Sequence, residues 1–239
     1  MKLKSNILGK SLMLTLTALM ITACGGLSAD SAKDKLLAVD DFGFEVQVDS
    51  SPDQLSISDV FEGECDELDT LNTSYSKANI VASSEFEERS DTQNGYSLGE
   101  YVFQFPSSDE ASKFLSDAKE VASNSDCEWY YSSRTQGANG SAIGYGSEDF
   151  ENVRDLKTAF KVDAKDSVVW DVNSNTIISG TFLSTSSSEE GGIAIAQSND
   201  LIVFIQYSVQ ADEISDASEP VTRRNLEEIV GKAFNKMLG

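Results

Sequence analysis

The chain contains 239 residues, of which 40% are hydrophobic, 18 are Lys or Arg, 40 are Asp or Glu and none is His, giving a formal charge of −22. This acidic balance disfavours nucleic-acid binding, because phosphate contacts need a basic face. A sequence without histidine excludes Ser-His-Asp and Cys-His catalysis and the common zinc sites. The carboxylates are spread along the chain, which predicts a solvated acidic surface; a sink for multivalent cations is the alternative.

The N-terminus has the pattern of an export signal. Three lysines precede a mostly apolar run at residues 12–21: Lys2, Lys4 and Lys10. The run ends in Ile21-Thr22-Ala23-Cys24, which is similar to a bacterial lipobox with Ile in place of the usual Leu. The resemblance implies a lipoprotein signal peptide at 1–23 and a lipidated, palmitate-bearing Cys24 as the first mature residue. An ordinary signal peptide with an incidental cysteine is the alternative.

The mature chain is expected to begin with a lipidated tether at 24–33, followed by one extracellular domain at 34–239. No segment after Cys24 approaches the roughly 20 consecutive apolar residues that a transmembrane helix needs. We therefore expect a domain held at the extracytoplasmic side of the cell membrane by acyl chains, in which each buried methylene contributes roughly 0.8 kcal/mol.

Two further cysteines, Cys65 and Cys127, remain in the mature chain. Two cysteines in an exported protein most often pair as a disulfide. Closing a loop of about 60 residues is expected to stabilise the fold by roughly 4 kcal/mol. Metal binding by this pair is disfavoured, because there is no histidine to complete a site and the spacing is far from CxxC.

The first elements along the chain are a loop, a strand and a helix. Many acidic residues among few apolar ones predict a loop at 50–71. Alternating aromatic residues at 101–105 predict a strand that stops at Pro106. Ser107 and Glu110 then have the spacing of a capping box that opens a helix. The apolar residues of this helix recur every three or four positions: Ala111, Phe114, Leu115, Ala118, Val121 and Ala122.

Short strands dominate the second half of the chain. Residues 127–131 are interpreted as one strand, and polar triplets at 173–175 and 198–200 predict two hairpin turns. The strand at 201–209 is apolar on both faces and is therefore expected to be central. A final amphipathic helix is predicted to start near Pro220. The fold class is α+β, a single domain in which two amphipathic helices pack on an antiparallel meander with hairpins and one disulfide.

No residue pattern indicates catalysis. The sequence lacks a GxSxG elbow, a Walker loop, an S-x-x-K motif and HExxH, and has only an isolated GxG at 144–146. The residues from Asp171 onward begin like a calcium-binding loop, but they lack the Gly and the Glu that such a loop requires at later positions. Two paired acidic residues can catalyse glycoside hydrolysis, but the glutamates at 85–88 are interpreted as part of an exposed strand edge. We therefore expect no enzyme activity, no metal and no cofactor.

Aromatic residues after Cys127 are the candidate binding residues. Trp129 is expected to pack against the disulfide. Tyr130 and Tyr131 point to opposite faces of an extended segment, so that one of them would line a groove. Together with Tyr145 in the following Gly-rich loop, these three residues form a candidate ligand-binding wall.

Several segments resemble one known family. The residues that carry the likeness are Tyr101-Val102-Phe103-Gln104-Phe105-Pro106-Ser107, the following helix with Ala111 and Phe114, and Cys127 with Trp129. Further segments occur in the expected order: Leu36-Leu37 ahead of Asp40-Asp41, a strand at 199–207 and a helix at 224–238. Together these segments are similar to the PknH-type extracellular sensor domain, found in actinobacteria behind kinase transmembrane helices and in free-standing lipoproteins.

The resemblance implies a disulfide-stabilised α+β domain with a cleft for an unidentified extracellular ligand. It implies Cys65 and Cys127 as the family disulfide and no catalytic residues. The chain departs from the family in lacking a second cysteine pair near the late strands. It also has Trp129 after Cys127 rather than before it.

The leading hypothesis is a non-enzymatic surface lipoprotein that binds a small molecule or an envelope protein outside the membrane. It would present its ligand to another protein or scavenge it. An envelope scaffold is the competing class, and an acid-pair hydrolase is the third. A concave, aromatic-lined pocket near Tyr130 would favour ligand binding, whereas a flat charged surface there would favour a scaffold.

Overall fold

A long antiparallel sheet organises the part of the chain that this computed structural model describes, namely residues 27–44, 46–49, 57, 63–64, 66–87, 95–123, 128–131, 146–162, 164, 166–179, 184–212 and 222–239. Within these residues the sheet has nine strands: β1 (Gln47–Asp49), β2 (Gly63–Glu64), β3 (Asn79–Glu87), β4 (Gly95–Gln104), β5 (Glu128–Tyr131), β6 (Gly146–Arg154), β7 (Ser167–Ser179), β8 (Ser184–Ser198) and β9 (Leu201–Asp212). Their order is β1-β3-β4-β9-β8-β7-β6-β5-β2, and every neighbouring pair is antiparallel.

Helices cover both faces of this sheet. The described residues form a 3₁₀ helix (Val39–Asp41) and five α-helices: α1 (Ala29–Lys35), α2 (Asp66–Ser74), α3 (Ser108–Ala122), α4 (Leu156–Phe160) and α5 (Arg223–Leu238). Buried residues of α1, α4 and α5 belong to one hydrophobic core, and those of α2 and α3 belong to another. The predicted α+β class is confirmed. None of the helices in the described ranges combines the length and the hydrophobicity that a bilayer crossing needs.

The central strands separate the two cores because successive side chains of a strand point to opposite faces. On β4, Val102 lies in the core with α1, α4 and α5, whereas Phe103 lies in the core with α2 and α3. Val203 and Phe204 of β9 divide in the same way, and all four residues are fully buried. A fully buried side chain of this kind contributes about 1.5–3 kcal/mol. The predicted central position of β9 is confirmed.

α3 begins where the sequence predicts. Ser107 is extended, and its hydroxyl accepts a hydrogen bond of 3.2 Å from the Glu110 backbone N–H. All six predicted apolar positions of the helix are buried against the sheet. The spacing of three and four residues therefore identified the buried stripe correctly.

The predicted turn between β8 and β9 is confirmed. The pair Ser198–Leu201 closes a two-residue turn in which Asn199 has a φ of 56°, a left-handed conformation that asparagine tolerates. Gln197 Nε2 donates to the backbone carbonyl oxygens of Asn199 at 2.8 Å and Ser108 at 3.0 Å. These bonds join the turn to the start of α3.

The predicted turn at 173–175 is wrong. β7 runs through it without a break, and Asn173 and Asn175 pair with Glu190 and Ser188 of β8. The Asn-Ser-Asn triplet has only a local preference for a turn, and the ladder of a 13-residue strand outweighs it.

The predicted loop at 50–71 contains the first part of α2. This helix forms because Leu68, Leu71 and Tyr75 recur at helical spacing and are all buried in the same core. The acidic residues of the helix are exposed, so that they do not oppose its formation.

The stretch at 24–33, expected to be a tether, overlaps α1. Ser28 forms a capping box with Ser31, and Ala32 is fully buried in the core with α5. From Leu27 onward this segment therefore packs on the domain, and residues 24–26 of the expected tether lie outside the described part of the chain.

Three smaller differences concern helix ends and a strand edge. α5 begins at Arg223 rather than near Pro220, because Thr222 and Asn225 form a capping box there. α4 was not predicted, and it is capped by the Asp155 side chain. Glu85 and Glu87, expected at an exposed edge, lie in β3, which pairs with β1 on one side and with β4 on the other. Glu88 lies outside the described residues.

Candidate functional site

The predicted aromatic wall is described only through the backbone of β5. Trp129 pairs with Gly63 of β2 on one side and with Glu148 of β6 on the other. Tyr130 and Tyr131 follow it in the same strand. The side chains of all three residues, and Tyr145 as a whole, lie outside the described part of the chain. The aromatic wall therefore remains a prediction.

The three cysteines also lie outside the described residues. Lipidation of Cys24 and pairing of Cys65 with Cys127 therefore remain predictions as well. The nearest described neighbours are Leu27 for the first, and the paired strands β2 and β5 for the other two.

A groove between α2 and α3 is a candidate binding site. Its volume is about 340 Å³. Leu71 and Val121 are buried and form its apolar floor, whereas most of its polar residues are exposed. We call it the candidate groove and define it by all of its lining residues: Asp66, Glu67, Thr70, Leu71, Ser74, Asp117, Glu120 and Val121.

Contacts at one end of the groove set the distance between its two helices. The hydroxyl of Tyr75, just after α2, donates to Asp117 Oδ2 of α3 at 2.6 Å. Lys113 Nζ lies 3.1 Å from the Tyr75 hydroxyl and 2.9 Å from the same carboxylate oxygen. The Tyr75 ring also packs edge-on against Phe114, with 5.1 Å between ring centroids. The groove is therefore a preformed feature of the packing between α2 and α3.

The electrostatics of the groove are dominated by carboxylates. Burial and the hydrogen bond to Asp117 raise the pKa of Tyr75, so that its hydroxyl stays protonated and continues to donate. The hydrogen bond to Asp117 also raises the pKa of Lys113, which stays charged at neutral pH. Lys113 pairs with Asp117, one of the four acids that line the groove. Four acids beside an apolar floor favour a ligand that carries positive charge next to an apolar part.

The groove and the predicted aromatic strand are neighbours along the chain. α2 directly follows β2, which pairs with β5, and α3 precedes β5 by only five residues. A ligand in the groove would therefore lie near the strand that carries Trp129.

No metal site is assigned to this region. Within the described ranges, no group of three or more His, Cys, Asp or Glu side chains is arranged to hold a metal ion.

Sequence reasoning missed the groove because it assigned α2 to a loop. The sequence feature that indicates α2 is the spacing of Leu68, Leu71 and Tyr75, which is that of an amphipathic helix. A second helix beside α3 would have implied a groove between them.

A second polar cluster lies in the other core and holds the N-terminal segment. We call it the N-terminal clasp and define it by Leu37, Asp41, Glu100, Lys232 and Lys236. Glu100 on β4 is 0% exposed, and its Oε2 accepts hydrogen bonds from the Leu37 N–H at 2.8 Å and from the Ser84 hydroxyl at 3.1 Å. Its Oε1 has no hydrogen-bond partner among the described residues. Burial raises the pKa of Glu100 to about 7, although both hydrogen bonds act to lower it.

Asp41 and two lysines of α5 form the charged half of the clasp. Lys236 Nζ lies 2.6 Å from Asp41 Oδ2 and donates to the Leu36 carbonyl at 2.7 Å. Lys232 Nζ lies 3.2 Å from Asp41 Oδ1. Burial alone would raise the pKa of Asp41, but hydrogen bonds from Lys236, Lys232 and the Ala38 N–H lower it to about 2. The clasp therefore fastens the segment after α1 to the sheet and to the last helix.

Comparison with known proteins gives a likeness at the level of structure. No family model and no curated protein matches the chain. Among solved structures, the chain is similar to the crystal structure of the extracellular domain of PknH from Mycobacterium tuberculosis, with 13% sequence identity and a TM-score of 0.47. The match covers 89% of this chain and 97% of that one.

Proposed function

We propose that the protein is a lipid-anchored, extracytoplasmic lipoprotein whose domain binds a ligand or partner and catalyses no reaction. The observation that carries the proposal is the order of the N-terminal features. A lipobox-like sequence ends at Cys24, and a packed domain begins at Leu27. A signal peptide, an acylated cysteine and a folded binding domain would account for that order.

Acylation is tested with Cys24→Ser in cells labelled with a palmitate analogue. The unchanged protein should carry label and sediment with membranes. Cys24→Ser should lose both properties, because no other residue of the lipobox can form the thioether. Gly25→Ala is the matched control and should keep them. Equal labelling of Cys24→Ser and the unchanged protein would reject the anchor.

The strand register supports the proposed disulfide. Gly63 pairs with Trp129, and Glu64 pairs with Glu128. Cys65 and Cys127 are the next residues along the sequence, and the proposed bridge between them is compatible with this pairing. Directly opposed residues of antiparallel strands have Cα separations of about 4.5–5.5 Å, within the range that a disulfide spans.

We assign ligand binding to the candidate groove, and we propose that the neighbouring aromatic residues of β5 extend it. An apolar floor with an acidic lining fits a small cationic molecule or a basic peptide segment. Burial of Leu71 and Val121 gives the groove a fixed base, and the Tyr75–Asp117 hydrogen bond fixes its width.

The test is native mass spectrometry of the protein extracted from its membrane, which would show a retained small molecule as added mass. Thr70→Trp places an indole in the groove and should abolish the added mass. Thr73→Trp, on the exposed face of the same helix, is the matched control and should retain it. If both variants kept the added mass, the small molecule would bind outside the candidate groove.

An envelope scaffold is the second candidate, because the groove is bordered by exposed residues of α2 and is accessible to a protein segment. In that case a protein, and not a small molecule, should be retained on extraction. Thr70→Trp should then release that protein and Thr73→Trp should not.

A further inference from the structure

We infer that the domain stands on the membrane with the β8–β9 turn toward the lipid headgroups and with β5 directed away from them. This inference rests on the proposed acylation of Cys24, and it identifies the surface that meets the bilayer. We call that surface the membrane-facing end and define it by Leu27, the turn at 198–200 and the start of α3. Its partner is the headgroup layer of the membrane that holds the acyl chains.

The folded structure is fastened to this end at its first described residue. Leu27 is 3% exposed, and its backbone N–H donates to Ser198 Oγ, the last residue of β8, at 3.3 Å. Ser28 follows immediately and caps α1. The chain is therefore attached to the β8–β9 turn before the first helix begins.

The link between this attachment and the acylated residue is short. Cys24 and Leu27 are three residues apart, and an extended chain spans at most about 3.3–3.6 Å per residue, or about 11 Å in all. Burial of the acyl chains holds Cys24 at the level of the headgroups. Leu27 must then lie within about 11 Å of that level, whatever conformation the link adopts, and the turn that is bonded to Leu27 lies close to the same level.

Other described residues belong to the same end of the sheet. Gln197 Nε2 joins the turn to Ser108 at the start of α3 at 3.0 Å, and Gln104 Nε2 donates to Asp200 Oδ2 at 3.1 Å. Asp109 and Glu110 follow in the first turn of α3. These carboxylates repel anionic lipids, so that the short link, and not charge attraction, imposes the orientation.

The register of the sheet places β5 at the opposite end. Pairing connects Glu128 of β5 through β6, β7 and β8 to the level of Val209 on β9. Val209 is eight residues beyond Leu201, and a strand rises about 3.4 Å per residue, so that this level lies about 27 Å from the turn. The predicted aromatic residues of β5 are therefore presented to the external medium.

The orientation is tested by energy transfer to acceptor-labelled lipids in vesicles of phosphatidylcholine and phosphatidylglycerol. A fluorescent amino acid is introduced in place of Asn199 at the turn, or in place of Val48, which is 52% exposed. Val48 lies level with Tyr207, six residues and about 20 Å beyond the start of β9. Transfer from position 199 should exceed transfer from position 48 by about twofold or more, because the two positions differ in height by that distance.

Lengthening the link provides the matched control. A flexible Gly-Ser segment of about 12 residues inserted after Gly26 should bring the two transfer values together, because the domain can then rotate. Equal transfer from both positions in the unlengthened protein would overturn the orientation while vesicle flotation still supported the anchor. Failure of the protein to float with vesicles, as expected of Cys24→Ser, would overturn the anchor and the orientation together.

Discussion

The Glu100 carboxylate accepts a 2.8 Å hydrogen bond from the backbone N–H of Leu37, across 63 residues of sequence. Both residues are buried in the core that the sheet shares with α5. The bond therefore connects the segment following α1 to the centre of β4. An acid in this position makes attachment of the N-terminal segment sensitive to proton concentration.

Replacement of Glu100 should change how stability depends on pH. Its folded pKa of about 7 lies above the ordinary 4.5, so that the folded state binds the proton more tightly than the unfolded state. The stabilisation is therefore present in full below about pH 4.5 and is lost as the pH rises toward 7, by roughly 3 kcal/mol. Glu100→Gln keeps an acceptor for the Leu37 N–H and should remove most of this slope, meaning the change in unfolding free energy with pH. Urea unfolding between pH 5 and 8 measures it.

The matched control is Glu120→Gln, at an exposed position on α3. It should leave the difference in stability between pH 5 and pH 8 close to that of the unchanged protein. At pH 8, Glu100→Gln should be more stable than the unchanged protein. A Glu100→Gln variant that retained the full slope would show that the proton binds elsewhere.

Asp41 should stabilise the folded state at higher pH, opposite to the effect expected of Glu100. Its folded pKa of about 2 lies below 3.8, so that its stabilisation is present above about pH 4 and is lost as the pH falls toward 2. Asp41→Ala removes a cap on the Ala38 N–H and two ion pairs, and should cost about 1–2 kcal/mol at neutral pH. Hydrogen exchange of the segment from Leu36 to Phe42 should accelerate. Asp40→Ala, at the exposed neighbouring position, should not accelerate it.

Two adjacent glycines of β8 should respond differently to a methyl group. A Cβ at Gly191 would collide with the backbone carbonyl oxygen of Tyr207 on β9, whereas a Cβ at Gly192 would meet the end of the Tyr207 side chain, 2.5 Å from its hydroxyl oxygen. The backbone is held by the ladder on both sides of the strand, whereas the Tyr207 side chain, although buried, can shift by rotation about its own bonds. Gly191→Ala should therefore cost about 1–3 kcal/mol in chemical unfolding, and Gly192→Ala should cost less. Equal losses would show that the strands can separate locally.

The sequence predicted those elements whose burial follows a regular period. α3 and β9 were identified because every second, third or fourth residue is apolar over a long stretch. α1 and α4 were missed because each is short and buries only one or two of its residues. The candidate groove was missed with α2, since a groove between helices is visible only when both helices are recognised.

The buried position of Glu100 could also have been read from the sequence. Glu100 is two residues from both Leu98 and Val102, so that its side chain points to the same face of β4 as theirs, toward the core with α5. An acid at an apolar position of a central strand indicates a specific buried partner. The identity of that partner, the Leu37 N–H, follows only from how the N-terminal segment packs across β4.

The proposed disulfide gives the last prediction. Cys65→Ser should lower stability by roughly 4 kcal/mol in the chain-entropy model, and the melting temperature by about 10 °C, because the oxidised unfolded chain is closed into a loop of about 60 residues. Cys127→Ser should have the same effect, and the double variant should be no less stable than either single variant, because all three remove one bond. Cys127 should also become reactive toward thiol reagents in Cys65→Ser. Two free thiols in the unreduced, unfolded protein, together with unchanged melting of the single variants, would contradict the pairing that the register of β2 and β5 supports.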